Sequence, residues 1–325
     1  QIFQTISFDY DLSLIRLTSP DDLTIIECSS NVDYKIFKKL FKFPLLGNDS
    51  SPFHPTRELD MSLDKDLFHE AEIGPPLFEG KMIHMFNHRF ESPTQWVDKD
   101  ETEKRLKTKE LNRIPAAYKK SDPSMTPQID SSEYRLVWRT TANATNERTL
   151  ISTILPPNVF LGNNLNYHDP IIFENSEYIK SIPKPELVFL CGLFNSFIID
   201  FVMRHKVSVN LNYFHMNGLP IPRYENQNPL HKKIFMNSAK LICTTDEFVE
   251  LRNEIGVADF VIDQDERIGL MAQISAYAAK IYDLSEDELK HILETFPGTV
   301  GGTLTIEEMK KIKELTLSEF FLLKN

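Results

Sequence analysis

The run from Glu186 to Met203, ELVFLCGLFNSFIIDFVM, constrains the fold of this chain more than any other stretch. A segment this apolar is not stable facing water, so it lies in a core or in a membrane. Pro183 and Pro185 precede it, Glu186 suits a first helical turn, and Arg204, His205 and Lys206 suit a last one. A helix over 186–206 is predicted. Asn195, Ser196 and Asp200 fall in its middle, and a mid-span Asp costs about 2.5–3.5 kcal/mol in a bilayer. The expectation is a buried core helix with no membrane partner, in which Asp200 pairs with Arg204 one turn on.

The remaining pattern divides in two. Residues 1–30 carry short apolar runs such as Leu12-Ser13-Leu14-Ile15 and Leu23-Thr24-Ile25-Ile26, broken by Ser19-Pro20-Asp21-Asp22. These predict strands or a hairpin. Residues 33–43 place Tyr34, Ile36, Phe37, Leu40 and Phe41 at helical spacing, and 44–56 read as a loop. The charged stretch from Asp98 to Lys120 predicts a surface helix ending near Pro115. Residues 133–139 and 149–154 read as strands around an Asn/Thr-rich turn. Past Pro222 strand patterns stop, and Ser285 with Glu288 forms a capping-box signature. Residues 297–304, with three glycines, read as the last turn region. The expected class is mixed α/β (α+β) over residues 1–225, with 1–56 a junction to a further domain, and mainly helical over 226–325.

Two polar segments stand out. One is Pro75-Pro76-Leu77-Phe78-Glu79-Gly80-Lys81-Met82-Ile83-His84-Met85-Phe86-Asn87-His88-Arg89-Phe90. Its alternation puts Met82, His84, Phe86, His88 and Phe90 on one face of a predicted strand, with Lys81, Ile83, Met85, Asn87 and Arg89 on the other. The second is Trp138-Arg139-Thr140-Thr141-Ala142-Asn143-Ala144-Thr145-Asn146-Glu147-Arg148-Thr149. Arg and Lys suit phosphate and guanine, Asn suits adenine, and Thr suits either. The candidate DNA contacts are Lys81, His84, Asn87, His88, Arg89, Arg139, Thr140, Asn143, Asn146 and Arg148.

A net charge of −11 argues against a general nucleic-acid binder. Its distribution is uneven: −6 over residues 1–75, +2 over 76–150, −1 over 151–225 and −6 over 226–325. The net-positive quarter holds both polar segments. Cys28, Cys191 and Cys243 are far apart with no zinc spacing, as for free thiols in a reducing cytoplasm. His84 and His88 are four apart, without the glutamate of HExxH. A metal-dependent hydrolase using His54, His84 and His88 is the alternative reading. A protein-interaction module, with residues 229–325 docking a partner subunit, is another.

The first segment resembles the "LYEGKMIHxFDHR" signature, and the second the "R-x-x-A-x-x-TNERT" signature, of one family. These belong to the target-recognition region of Type IIG restriction–modification enzymes and related phage-defence adenine methylases. Further blocks follow in the family's order. Arg57-Glu58-Leu59-Asp60-Met61 resembles "REFDM", and Gln95-Trp96-Val97 resembles "YWV". Asn195, Ser196, Asp200 and Arg204 match "LLNSxxxDxxxR", and residues 212–222 are close to "NxFxxxxLPxP". The blocks span about residues 57–296. Asn87 stands where the family often has Asp.

The resemblance implies a module that reads double-stranded DNA in a bacterial or archaeal cytoplasm. An adenine methyltransferase needs a Gly-rich cofactor loop and an [N/D]PP[Y/F] element, and this chain has neither. The chain starts at Gln1, as expected for part of a longer polypeptide. On this reading it is not an enzyme on its own and holds no cofactor or metal. S-adenosylmethionine and Mg serve methyltransferase and nuclease domains elsewhere in the same polypeptide.

Overall fold

The computed structural model describes residues 12–19, 25–48, 51–121, 125–143, 146–207, 209–298 and 304–323. The predicted N-terminal strands give way to a helix, α1 (Leu12–Thr18). Leu14 and Thr18, one turn apart, are buried, whereas Leu12 and Leu17 are exposed. The short apolar run therefore has the helical period and not the period of two. The rest of that prediction, residues 1–11 and 20–24, lies outside the described residues.

Helix α2 (Asn31–Leu40) follows, opened by a capping box of Ser30 and Asp33 and burying Ile36, Phe37 and Leu40. Four two-residue strands come next: β1 (Pro55–Thr56), β2 (Phe68–His69), β3 (Leu77–Phe78) and β4 (Trp96–Val97). Asp98 caps the charged helix α3 (Lys99–Arg113), which buries only Thr102 and Leu106. It stops before Pro115, and α4 (Ala116–Ser121) restarts beyond it.

Strands β5 (Arg135–Arg139), β6 (Ser152–Leu155), β7 (Phe160–Leu161), β8 (Leu165–His168), β9 (Ile171–Glu174) and β10 (Glu177–Lys180) complete the strands among the described residues. The main sheet has the order β1-β8-β5-β6, antiparallel throughout. Val137 faces Thr153 on one side and Tyr167 on the other. Both faces are covered. Leu136, Trp138 and Ile154 enter the large core with the helices, whereas Val137, Leu155, Leu165 and Tyr167 form a second cluster with Met82 and Ile83. The β9–β10 hairpin turns on Asn175 and Ser176, with φ of 50° and 72°.

The long apolar run is two helices, α5 (Lys184–Phe194) and α6 (Phe197–Lys206), bent by 66° at Asn195-Ser196. Ser196 is extended and caps α6 by accepting from Ile199 N. Asn195 leaves the helix to act as a strand partner. Its Oδ1 accepts from Ser152 N at 3.1 Å and its Nδ2 donates to Ser152 O at 3.0 Å. Among the described residues no single helix is long and apolar enough to cross a membrane. The remaining helices are α7 (Tyr213–Asn217), α8 (Pro229–Ile242), α9 (Val249–Ile255), α10 (Gln264–Ile281), α11 (Glu286–Glu294) and α12 (Ile306–Leu322). Ser285 and Glu288 form the expected capping box of α11.

The chain is thus an α+β region followed by a helical part. Among the described residues the last strand ends at Lys180, well before the expected boundary near residue 225, and that boundary does not divide the core. One apolar cluster runs from Leu14 to Phe320, with α5 and α6 packed on α8, α10 and α11. Gly192 permits the closest of these approaches, since a Cβ there would overlap Ser238 Oγ.

Candidate nucleic-acid interface

Residues 81–90 of the first polar segment are not a strand. Gly80–Met82 makes one 3-10 turn, and His84 to Asn87 close a tight turn with His84 N–Asn87 O at 2.8 Å and Asn87 N–His84 O at 3.0 Å. Phe86 takes a φ of 58° there. Met82 to Phe86 are buried consecutively, which a one-faced strand cannot do. The cause is tertiary. Met82 and Ile83 join the cluster on one face of the sheet, while Met85 and Phe86 join the other. Phe86 N also donates to Ser152 O at 3.1 Å.

The two polar segments interlock. Arg139, at the end of β5, donates from Nε and Nη2 to Ile83 O and lies over the Phe90 ring, 6.0 Å from its centroid. Gly80 N donates to Asn164 Oδ1 at 3.1 Å, and Thr140 N to Asn164 O at 3.0 Å. A Cβ on Gly80 would stand 3.1 Å from that carbonyl and 3.7 Å from Arg139 Cγ, so glycine allows the approach. Beyond it, Ala142 N bonds Val209 O at 3.0 Å and Leu211 N bonds Thr140 O at 2.7 Å. Among the described residues no carboxylate pairs with Arg139. Burial pulls its proton affinity down, against the pull of Glu91.

Three of the expected DNA contacts are buried: Arg148 at the inward-turned end of the second segment, and His84 and His88 in the first. Arg148 is 3% exposed and its Nε donates to Asp200 Oδ2 at 2.6 Å, while Nη2 donates to Asn195 O at 2.6 Å. Asp200, fully buried, also accepts from Thr149 N and Leu150 N. Asp200 therefore does not pair with Arg204. Arg204 instead donates to the carbonyls of Asn146, Glu147 and Thr295. His84 is buried too; desolvation, with Arg139 and Arg148 nearby, pushes its pKa down to about 3 and keeps it neutral. His88 is buried with Nε2 3.0 Å from Glu247 Oε2, and desolvation lowers its pKa although Glu247 opposes this. A duplex cannot reach these three side chains without displacing their partners.

The metal-site alternative also lacks geometry. His54 is exposed, with its backbone N on His168 Nδ1 at 3.1 Å, and His88 is committed to Glu247. Among the described residues no three His, Cys, Asp or Glu side chains gather as a metal would need.

The outward set is Lys81, Arg89, Asn143 and Asn146, exposed, with Asn87, Arg139 and Thr140 half-buried. Lys81 Nζ reaches Thr94 Oγ1 at 3.1 Å and Glu79 Oε2 at 3.2 Å. Asn87 Oδ1 accepts from Arg89 N at 2.9 Å. Sequence reasoning missed Asn164 and Asn210, which border this surface. Asn164 joins the two segments, and Asn210 is bridged to Thr141. Their only local signal was a turn-type Gly162-Asn163-Asn164 and a polar loop.

No protein-family model matches the chain, and no curated protein does. Among solved structures it is similar to the Type IIL restriction-modification enzyme MmeI in complex with DNA, at a TM-score of 0.32 and 12% identity. The similarity covers 83% of this chain and 35% of that one, so the chain spans about a third of that protein's length.

Proposed function

We propose that this chain is the DNA-reading part of a restriction–modification-type enzyme. It binds double-stranded DNA through the surface of Lys81, Arg89, Arg139, Thr140, Asn143 and Asn146. Methylation and cleavage, with their S-adenosylmethionine and Mg, belong to further domains of the same polypeptide. The observation that carries this reading is the interlock at Arg139. It joins the two polar segments into one surface and holds a half-buried guanidinium without a carboxylate partner among the described residues. In a chain of net charge −11 such a cation is costly unless an anion completes it. Exposed amides beside it suit base edges, and phosphate contacts supply affinity.

The test is fluorescence anisotropy with the parent enzyme's own site and a scrambled duplex across a salt series. If Arg139 reads a guanine, Arg139→Ala costs roughly 1–3 kcal/mol and relaxes one base position. If it grips phosphate, affinity falls evenly for all sequences and the salt slope shrinks by about one. Lys81→Ala, Asn143→Ala and Asn146→Ala change exposed side chains and are expected to weaken binding without unfolding the chain. Unchanged affinity, slope and specificity in all four variants would sink the assignment. The chain alone is expected to transfer no methyl group from labelled S-adenosylmethionine to DNA.

A further inference from the structure

One contact ties this surface to the helical part of the chain. Glu247 Oε2 lies 2.9 Å from Arg89 Nη2, 3.0 Å from His88 Nε2 and 3.1 Å from Thr245 Oγ1. Donors from both parts of the chain thus converge on one oxygen. The carboxylate is braced from behind. Tyr134 Oη donates to Glu247 O at 2.9 Å, and the neighbouring Phe248 is fully buried, stacked on Tyr134 at 5.7 Å and edge-on to His88 at 5.0 Å. Arg89 has a side chain 61% exposed, yet its backbone N is fixed by Asn87 and its guanidinium by Glu247. His88, buried and neutral, contributes a hydrogen bond and no charge, so Arg89 and Glu247 form a net-neutral pair at the rim.

We infer that Glu247 restrains Arg89, holding the most exposed cation of the DNA surface off the phosphates and so limiting sequence-independent binding. This rests on the DNA-binding reading above. A carboxylate in contact with a guanidinium competes with phosphate for the same donors, and it also repels the duplex. Sequence-independent affinity comes from phosphate contacts. A reader of sequence gains discrimination when a cation that grips every sequence equally is neutralised. The restraint is supplied by the helical part, which gives that part a role in recognition beyond packing.

The experiment compares Glu247→Gln, Asp246→Asn, Arg89→Ala and Glu247→Gln/Arg89→Ala in the full chain, on a random-sequence duplex across a salt series. Glu247→Gln keeps an acceptor but removes the charge. It is expected to tighten random-duplex binding several-fold and steepen the salt slope by about one. Asp246→Asn makes the same charge change one residue away and is expected to do much less. In the Arg89→Ala background, the gain from Glu247→Gln is expected to shrink to that of Asp246→Asn. Thermal melting of each variant shows whether the fold is kept. The inference is overturned if Glu247→Gln weakens or does not change binding in a folded chain. It is equally overturned if Asp246→Asn matches it, or if the gain survives in Arg89→Ala. Absence of duplex binding by every variant, the wild type included, overturns the DNA reading and the restraint with it.

Discussion

Arg148→Met separates the inward reading of the second segment from the DNA-contact reading that its sequence suggests. Methionine keeps an apolar stem beside Phe197 and Phe296, whose rings lie 4.6 Å and 5.5 Å from the guanidinium carbon. It removes the charge opposite Asp200. Breaking a buried ion pair from one side costs about 3–5 kcal/mol, because the remaining charge is stranded. Asp200 would not be bare, since Thr149 N and Leu150 N still donate to it at 3.1 Å and 2.9 Å. That argues for the lower end, about 3 kcal/mol, plus about 1 kcal/mol for the donor lost by Asn195 O. Asp200→Asn should cost a comparable amount. The double variant should cost less than the sum of the singles by about 1–3 kcal/mol, because it strands no charge. Urea titrations read this as a shift in midpoint at constant slope. A variant Arg148→Met within about 0.5 kcal/mol of wild type, with weakened DNA binding, would refute the reasoning and return Arg148 to the interface.

Further predictions concern stability. Asp169 has its carboxyl pushed up to about 8 by burial and by Asp130 beside it, so the folded chain keeps a proton that the unfolded chain has released above about pH 4. Stability is therefore expected to fall as pH rises from about 4 toward about 8, and Asp169→Asn to reduce that slope in melting curves; an unchanged slope refutes it. His84 and His168, pushed down to about 3 by burial, act in the opposite sense, losing stability as pH falls below 6.5. Gly192→Ala forces a methyl group into Ser238 Oγ and against Ile234 Cγ2, with an expected loss of about 1–3 kcal/mol by overpacking. Gly192→Ala/Ser238→Ala should recover part of it, and equal stability of the single variant and wild type would contradict the close α5–α8 approach.

The elements legible in the sequence are those with local causes. Asp98 and Pro115 bracket α3, Ser285 and Glu288 open α11, and short apolar runs around an Asn/Thr-rich turn mark β5 and β6. The unread features have causes distant in the chain. The break between α5 and α6 exists because Asn195 bonds Ser152, forty-three residues away. The alternation of residues 81–90 is real as a pattern, but the segment passes between two cores and is buried on both sides. The candidate site was legible as two segments, not as side-chain directions. His88 is turned by Glu247 and Arg148 by Asp200, and neither partner is a sequence neighbour.

The blocks that carry the family resemblance turn out to bind one another. Arg148 and Thr149 of the second signature meet Asn195 and Asp200 of the helix block, and Arg204 of that block returns to the carbonyls of Asn146 and Glu147. Glu58 of the upstream block accepts from Arg135 at 2.9 Å and from Leu161 N at 2.7 Å. Burial of so many polar groups is tolerable only when most are satisfied, and that demand ties their identities together. The side chains of Lys81, Asn143 and Asn146 face outward, so substitutions there strand no buried charge in the core. A motif of this kind therefore reports the scaffold more than the contact. It also bears on how a chain of net charge −11 could present the DNA surface proposed above. The buried network sets the backbone on which a few outward cations and amides stand, and placement, not bulk charge, decides the field that a duplex meets.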